Sequence, residues 1–172
     1  MKPSLVLAAL LAAPLTGAFP APQEAAALAF PGAALQKRDH ALTEAQAREA
    51  QALAGTPVRP SAVAFEATRG GVRVGVAFLD THRVRTLDET VLVAVGADGR
   101  ILRVELVAFR EPPDYQAREP WLRQFQGRRL DGDLALKRGI RPLSGATLTA
   151  GALTDAARRG LALAQVLYGI HP

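Results

Sequence analysis

The sequence predicts an α+β domain: a mostly antiparallel twisted sheet of two hairpins, flanked by helices. Three observations lead there. Two stretches of alternating apolar residues, Ser61 to Phe78 and Thr90 to Phe109, each fold about a glycine-bearing turn and read as hairpins. A capped helical segment precedes them, beginning near Thr43. An Ala- and Leu-rich segment of helical period, about Ala150 to Tyr168, predicts a long closing helix. Strands grouped between helices, rather than alternating with them, give the α+β class.

Composition sets the outer limits. The chain has 172 residues, 49% hydrophobic and 22% charged, enough for one domain with a buried core. With no cysteine, disulfides, thiolate metal sites and Cys nucleophiles are excluded. The net charge of +5 comes mostly from Arg spread along the chain, and aromatics are only 5%. Nucleic-acid faces need clustered basic residues with interleaved aromatics, so no nucleic-acid partner is expected.

The elements follow in order. Lys2 supplies a basic start, Leu5 to Ala13 an apolar run, and Thr16-Gly17-Ala18 a small-residue site. That order is the pattern of a secretory signal peptide over residues 1–18. The run is shorter than the roughly 20 residues of a membrane span. An uncleaved short anchor is the alternative. Either way the chain is expected outside the cytoplasm, in the periplasm, at the membrane surface if the segment is kept. Residues 19–42, rich in Ala, Pro and Gly, are expected to be an extended lead-in, and 43–172 the domain itself.

Thr43 and Gln46 form a capping box, and Gly55 with Pro57 closes that helix. In the first hairpin Val72, Val74, Val76 and Phe78 fall on one face, with Arg69-Gly70-Gly71 as the turn. In the second, Leu102, Val104 and Leu106 alternate with Arg103 and Glu105, after an Asp98-Gly99 turn. Pro120 suits the first turn of a short helix carrying Trp121, Leu122 and Phe125. Residues 128–143 carry turn signals and little periodicity. In the closing helix Leu153, Ala157, Gly160, Leu161, Ala164 and Leu167 form the stripe, with Asp155, Arg158, Arg159 and Gln165 outside it.

Few residues carry obvious chemistry. His40, His82 and His171 lack metal-ligand spacing and read as surface or structural. Asp131-Gly132-Asp133 reads as a turn. No nucleophile elbow, P-loop or dinucleotide fingerprint is present. The segment Leu143-Ser144-Gly145-Ala146-Thr147-Leu148-Thr149 differs. It is small and hydroxylic, Gly145 allows close backbone approach, and a helix follows whose first amides lack partners. Such a helix start attracts a phosphate. The alternative is a helix cap supplied by Ser144, Thr147 or Thr149.

Ser144-Gly145-Ala146-Thr147-Leu148-Thr149 resembles the flavin-attachment motif of the FMN-binding domain family. That family includes the flavin subunits of sodium-translocating quinone reductases and of related ferredoxin-oxidising complexes. The order around it is also similar: a strand like Ile101 to Pro113, then Trp121-x-x-x-Phe125-x-Gly127, then the motif and an Ala-rich helix. The likeness covers about residues 60–168. It implies FMN as cofactor, joined through a phosphoester to Thr147 by a flavin transferase that draws on FAD outside the cytoplasm. Ser144, Gly145 and Ala146 would form the phosphate loop, flanked by Leu148 and Thr149. The motif usually opens with Asp three residues before the Ser, where this chain has Arg141 and then Pro142. Binding is noncovalent if that departure defeats the transferase, with Arg141 free to pair with the phosphate. Tyr115, Trp121 and Phe125 are candidates to pack on the flavin ring or, alternatively, core residues of the short helix.

The resemblance implies an exported electron carrier or redox-complex subunit rather than a stand-alone catalyst, with membrane electron-transfer proteins as partners. No residue is singled out as catalytic. The rival is a non-redox extracytoplasmic binding module whose S-G-A-T loop is only a helix cap. A hydrolase using Ser144 or Thr147 lacks a base placed by sequence.

Overall fold

The computed structural model describes residues 18–172. All but the last residue of the expected signal segment lies outside that range. Among the described residues no helix is long and apolar enough to cross a membrane. The elements are α1 (Pro22–Ala29), β1 (Ala34–Ala41), α2 (Glu44–Ala54), β2 (Ser61–Arg69), β3 (Val72–Arg83), β4 (Asp88–Gly96), β5 (Ile101–Phe109), α3 (Glu119–Leu122) and α4 (Thr147–Tyr168). The five strands form one antiparallel sheet in the order β1-β2-β3-β4-β5. The α+β class and the long C-terminal helix are as the sequence predicts.

The stretch expected as an extended lead-in is instead a helix and a strand. Pro22 opens α1, where its missing N–H costs nothing. The Glu24 carboxylate accepts from the Ala21 amide at 2.9 Å. Ala25 and Ala26 are small enough to bring the helix close to the sheet. β1 then pairs with β2 along its whole length, from Ala34–Thr68 to Ala41–Ser61. Its sequence hides this because it is an edge strand, mostly exposed, with Lys37, Arg38 and Asp39 guarding the edge.

α2 forms as its sequence indicates. Thr43 Oγ1 accepts from the Gln46 amide, the Gln46 side chain accepts from Thr43 N–H, and Gly55 closes the helix at φ +69°. The hairpins β2–β3 and β4–β5 also form, but their alternation is broken. Register shifts near Ala67/Thr68, Ala94/Val95 and Thr90/Val91 leave Val74, Leu102 and Val107 without direct cross-strand partners. All three pack on the α1 side of the sheet. The expected stripes therefore shorten to Val76 and Phe78 on β3 and to Val104 and Leu106 on β5. Val72 is left 67% exposed.

The larger core lies between the sheet and α2 with α4. Val76, Phe78, Val91, Val93 and Val95 meet Leu153, Ala156, Ala157 and Leu161 there. Gly160 of α4 lies against Val93, so close that an added Cβ would stand 2.7 Å from Val93 Cγ1. The smaller core sets Ala25, Ala26 and Phe30 against Phe65, Ala67, Ala77, Leu92 and Ala94. Trp121, Leu122 and Phe125 close the end of the larger core.

Arg158 and Arg159 do not point to open solvent, as the helical stripe suggested; both are half-buried anchors. Arg158 donates to the carbonyls of Ala54, Asp131 and Leu134, joining α2 and the 128–140 segment to α4. Arg128 donates to the Gly139 carbonyl at 2.6 Å and draws that segment together. Asp131 Oδ1 accepts from the amides of Asp133 and Leu134, so Asp131-Gly132-Asp133 is a turn. The segment is thus held by arginine-to-carbonyl bonds, which leave no periodic signature.

Candidate functional site: the start of α4 and its groove

The site begins with one turn. The Leu143 carbonyl accepts from Ala146 N–H at 3.0 Å, and Gly145, third residue of that turn, sits at φ +75°. This conformation favours glycine. An added Cβ at Gly145 would meet nothing within 4 Å. Torsion alone therefore favours glycine here.

The turn delivers the chain into α4. Ala146 is the N-cap and no side chain caps the helix. The reading of Ser144, Thr147 or Thr149 as a cap is therefore not realised. Thr147 is the first helical residue rather than a loop residue, and no acidic residue occupies the first turn. The first amides of α4 have no intrahelical acceptors by construction, and the helix dipole favours an anion beside them.

The six motif residues divide by burial. Ser144, Gly145, Thr147 and Leu148 are exposed, while Ala146 and Thr149 face inward and are buried. The Thr149 hydroxyl is 1% exposed as a residue and has no hydrogen-bond partner among the described residues. Of the two threonine hydroxyls considered for attachment, only that of Thr147 belongs to an exposed residue.

Thr147 and Leu148 line one side of an open groove of about 320 Å³. The end of β3 supplies the opposite wall through His82, Arg83 and Val84, and Arg159 contributes from about three turns farther along α4. A second cleft of about 270 Å³ shares His82, Arg83 and Arg159 and continues toward Pro57 and Arg59. The wall beyond Val84 is held by Glu111. Its Oε1 accepts from the amides of Arg85, Thr86 and Leu87 at 3.0, 2.7 and 2.8 Å. The Leu87 and Thr86 bonds hold the Glu111 carboxyl below its usual range, against an opposing effect of burial.

A line of charged groups runs behind the groove. Arg159 makes a two-pronged pair with Asp80, at 2.6 and 2.8 Å. Asp80 Oδ1 bonds His82 Nδ1 at 2.8 Å, and His82 Nε2 points to Glu89 Oε2 at 3.7 Å. Glu89 is fully buried, and neither of its oxygens has a hydrogen-bond partner among the described residues. Burial opposes ionisation of Asp80, but the bonds from Arg159 and His82 outweigh it and hold the carboxyl well below its usual range. Burial also opposes a charged His82, yet the bond to Asp80 and the nearby Glu89 carboxylate raise the ring from 6.5 to about 9. At Glu89 burial dominates and pushes the carboxyl up, only partly offset by His82.

The aromatic candidates lie elsewhere. Phe125 is fully buried and meets Trp121 edge to face at 5.5 Å. The Trp121 indole N–H donates to the Arg141 carbonyl at 3.1 Å. Tyr115 lies under the Arg85 guanidinium at 5.2 Å. None of the three lines the groove at Thr147. Arg141 is exposed, and its own amide donates to Gln124 at 2.7 Å. His40 bonds the Tyr168 hydroxyl at 2.8 Å, and His171 lies beside Gly99 near the C-terminus.

Sequence reasoning left His82 as structural and did not single out Asp80, Glu89 or Arg159. One signal was available: Asp80 and His82 are two apart at a strand end, so both face the same side. Their link to Glu89 and Arg159 depends on register and helix placement.

Residues 87–162 match the model of the FMN-binding domain family. The match contains β4, β5 and the whole motif, ends within α4, and is narrower than the 60–168 of the sequence resemblance. Comparisons with curated proteins and with solved structures return no match.

Proposed function

From the match of residues 87–162 to the FMN-binding domain family, we propose that the chain is an exported electron-transfer flavoprotein. It holds the FMN phosphate at the start of α4, esterified to Thr147 where a flavin transferase has acted. One observation carries this reading: α4 begins without a side-chain cap, and its first residue, Thr147, stands exposed at the mouth of a groove.

The residues present fit the group. The helix start offers free amide donors and no acidic competitor to a phosphate. The groove is of ligand size and carries Arg83, His82 and Arg159 on its wall. When bound, FMN supplies the redox chemistry. The chain supplies the rest. The Ser144–Ala146 turn presents the amides, Thr147 offers the ester oxygen, and Leu148 shields one side of the groove. Arg83 and His82 face the groove with positive charge, while Arg159 holds the wall through Asp80. Glu111 keeps the 85–87 turn in place behind them. The partners that follow are membrane electron-transfer proteins and a flavin transferase, outside the cytoplasm.

The non-redox alternative loses its main argument, since it needed the S-G-A-T residues to cap α4. Intact mass and absorbance of the native protein test the reading together. A mass increment of one FMN that survives denaturation, lost in Thr147→Val, is the expected result. Flavin that binds but is released on denaturation points to noncovalent binding with Arg141 in place of Asp. A covalent increment that persists in Thr147→Val moves the attachment elsewhere. No flavin under any loading condition overturns the proposal.

A further inference from the structure

The Arg159–Asp80–His82–Glu89 line is more elaborate than a groove wall requires. Arg159 fixes Asp80 with two bonds, and Asp80 in turn fixes His82 through Nδ1. The free nitrogen of the ring is thereby aimed at Glu89, across a 3.7 Å gap. Glu89 is fully buried with both oxygens unpartnered, which is costly for a carboxylate without a use. His82, like Arg159, also lines both clefts. The imidazole thus stands between a solvent-facing groove and the buried carboxylate, its Nε2 buried and without a hydrogen-bond partner among the described residues.

We propose that His82 and Glu89 are a proton-holding pair for the flavin groove. When a reductant adds electrons to flavin there, one solvent proton passes by way of His82 Nε2 and binds the Glu89 carboxylate. This rests on the flavin reading above. The balance is simple. Two electrons from the donor and one proton from water would be taken up by the flavin, leaving one added negative charge in the groove, and a second proton from water forms one O–H bond on Glu89. Negative charge in the groove raises the proton affinity of a nearby carboxylate, which supplies the coupling. The other charged groups lining the two clefts with His82 are Asp80 and Arg83 on β3, Asp155 and Arg159 on α4, and Arg59 ahead of β2. Asp80 and Arg159 are tied to each other, Arg83 lies 3.9 Å from Asp88, and β5 places uncharged Phe109 opposite Glu89. Glu89 is left as the carboxylate of the line with room for a proton.

The test is a dithionite titration of the flavin-loaded full chain across pH, comparing wild type with Glu89→Gln and His82→Gln. The wild-type midpoint potential is expected to fall with pH through an additional one-proton segment that both variants lack. Imidazole resonances followed by NMR give a second readout, in which Glu89→Gln lowers the His82 midpoint by about one pH unit, tenfold in proton affinity. A flavin-loaded wild type with the same pH profile as a folded Glu89→Gln overturns the proton pair and leaves the flavin site standing. A wild type that takes up no flavin overturns both.

Discussion

At Gly145 one backbone torsion shapes the start of the site. The +75° φ is tolerated by glycine and strains any residue with a Cβ, although the space is open. Gly145→Ala is expected to cost about 1–2 kcal/mol, read from the urea midpoint. Because the side chain itself fits, flavin content should fall by less than in Thr147→Val. Two residues beyond Thr147, Thr149 presents the opposite case. Its hydroxyl is buried and unpartnered, so Thr149→Val removes an unsatisfied group while keeping the shape. The apo protein is expected to gain about 1 kcal/mol, and covalent flavin should be unaffected. A loss of stability in Thr149→Val means that the hydroxyl has a partner after all.

At the scale of elements, the site depends on how closely α4 lies on the sheet. Gly160 lets the helix approach Val93, and a methyl there meets a branched side chain on a rigid strand. Gly160→Ala is therefore expected to destabilise by about 1–3 kcal/mol, despite the better helix propensity of alanine. Equal or higher stability in thermal melts means that α4 does not pack this tightly. The 85–87 turn depends on a different element, the residue just beyond β5. Glu111→Gln keeps the shape but removes the charge that gathers three amides. Faster hydrogen exchange at Arg85, Thr86 and Leu87 is the expected outcome, with exchange in β3 and β4 unchanged.

For the whole molecule, His82 gives folding stability a pH dependence of definite sign. Its folded value lies above its usual one, so its contribution is complete below about 6.5 and is lost as pH rises through about 9. Asp80 acts at the other end: its depressed carboxyl contributes above the usual aspartate range and loses that contribution only in strong acid. Glu89 is raised, so it favours the folded state most when protonated, and that contribution declines as pH rises. Denaturation midpoints between pH 6.5 and 9 should fall in wild type and flatten in His82→Gln. A wild-type curve that is level across this window removes His82 from the account. Flavin acts on the same global equilibrium. Noncovalent FMN at one hundred times its Kd adds about 2.7 kcal/mol, roughly 5–10 °C in Tm for a chain of this length.

Local patterns in the sequence determined the capped α2, both hairpin turns, the long α4 and the small hydroxylic motif before it. Each of these rests on neighbours within a few residues, where capping, positive φ and apolar period act directly. The same reading failed on α1 and β1, because an Ala-rich stretch and a charged edge strand owe their form to the sheet beside them. It failed on Val74 and Leu102 because a bulge moves a side chain to the other face without marking the sequence. The motif residues were legible, but not which of them are exposed; α4 beginning at Thr147 turns Thr149 inward and Thr147 outward. Only the tertiary structure brought Asp80 and His82 of β3, Glu89 of β4 and Arg159 of α4 into one line, since strand register and a helix crossing join residues up to 79 positions apart.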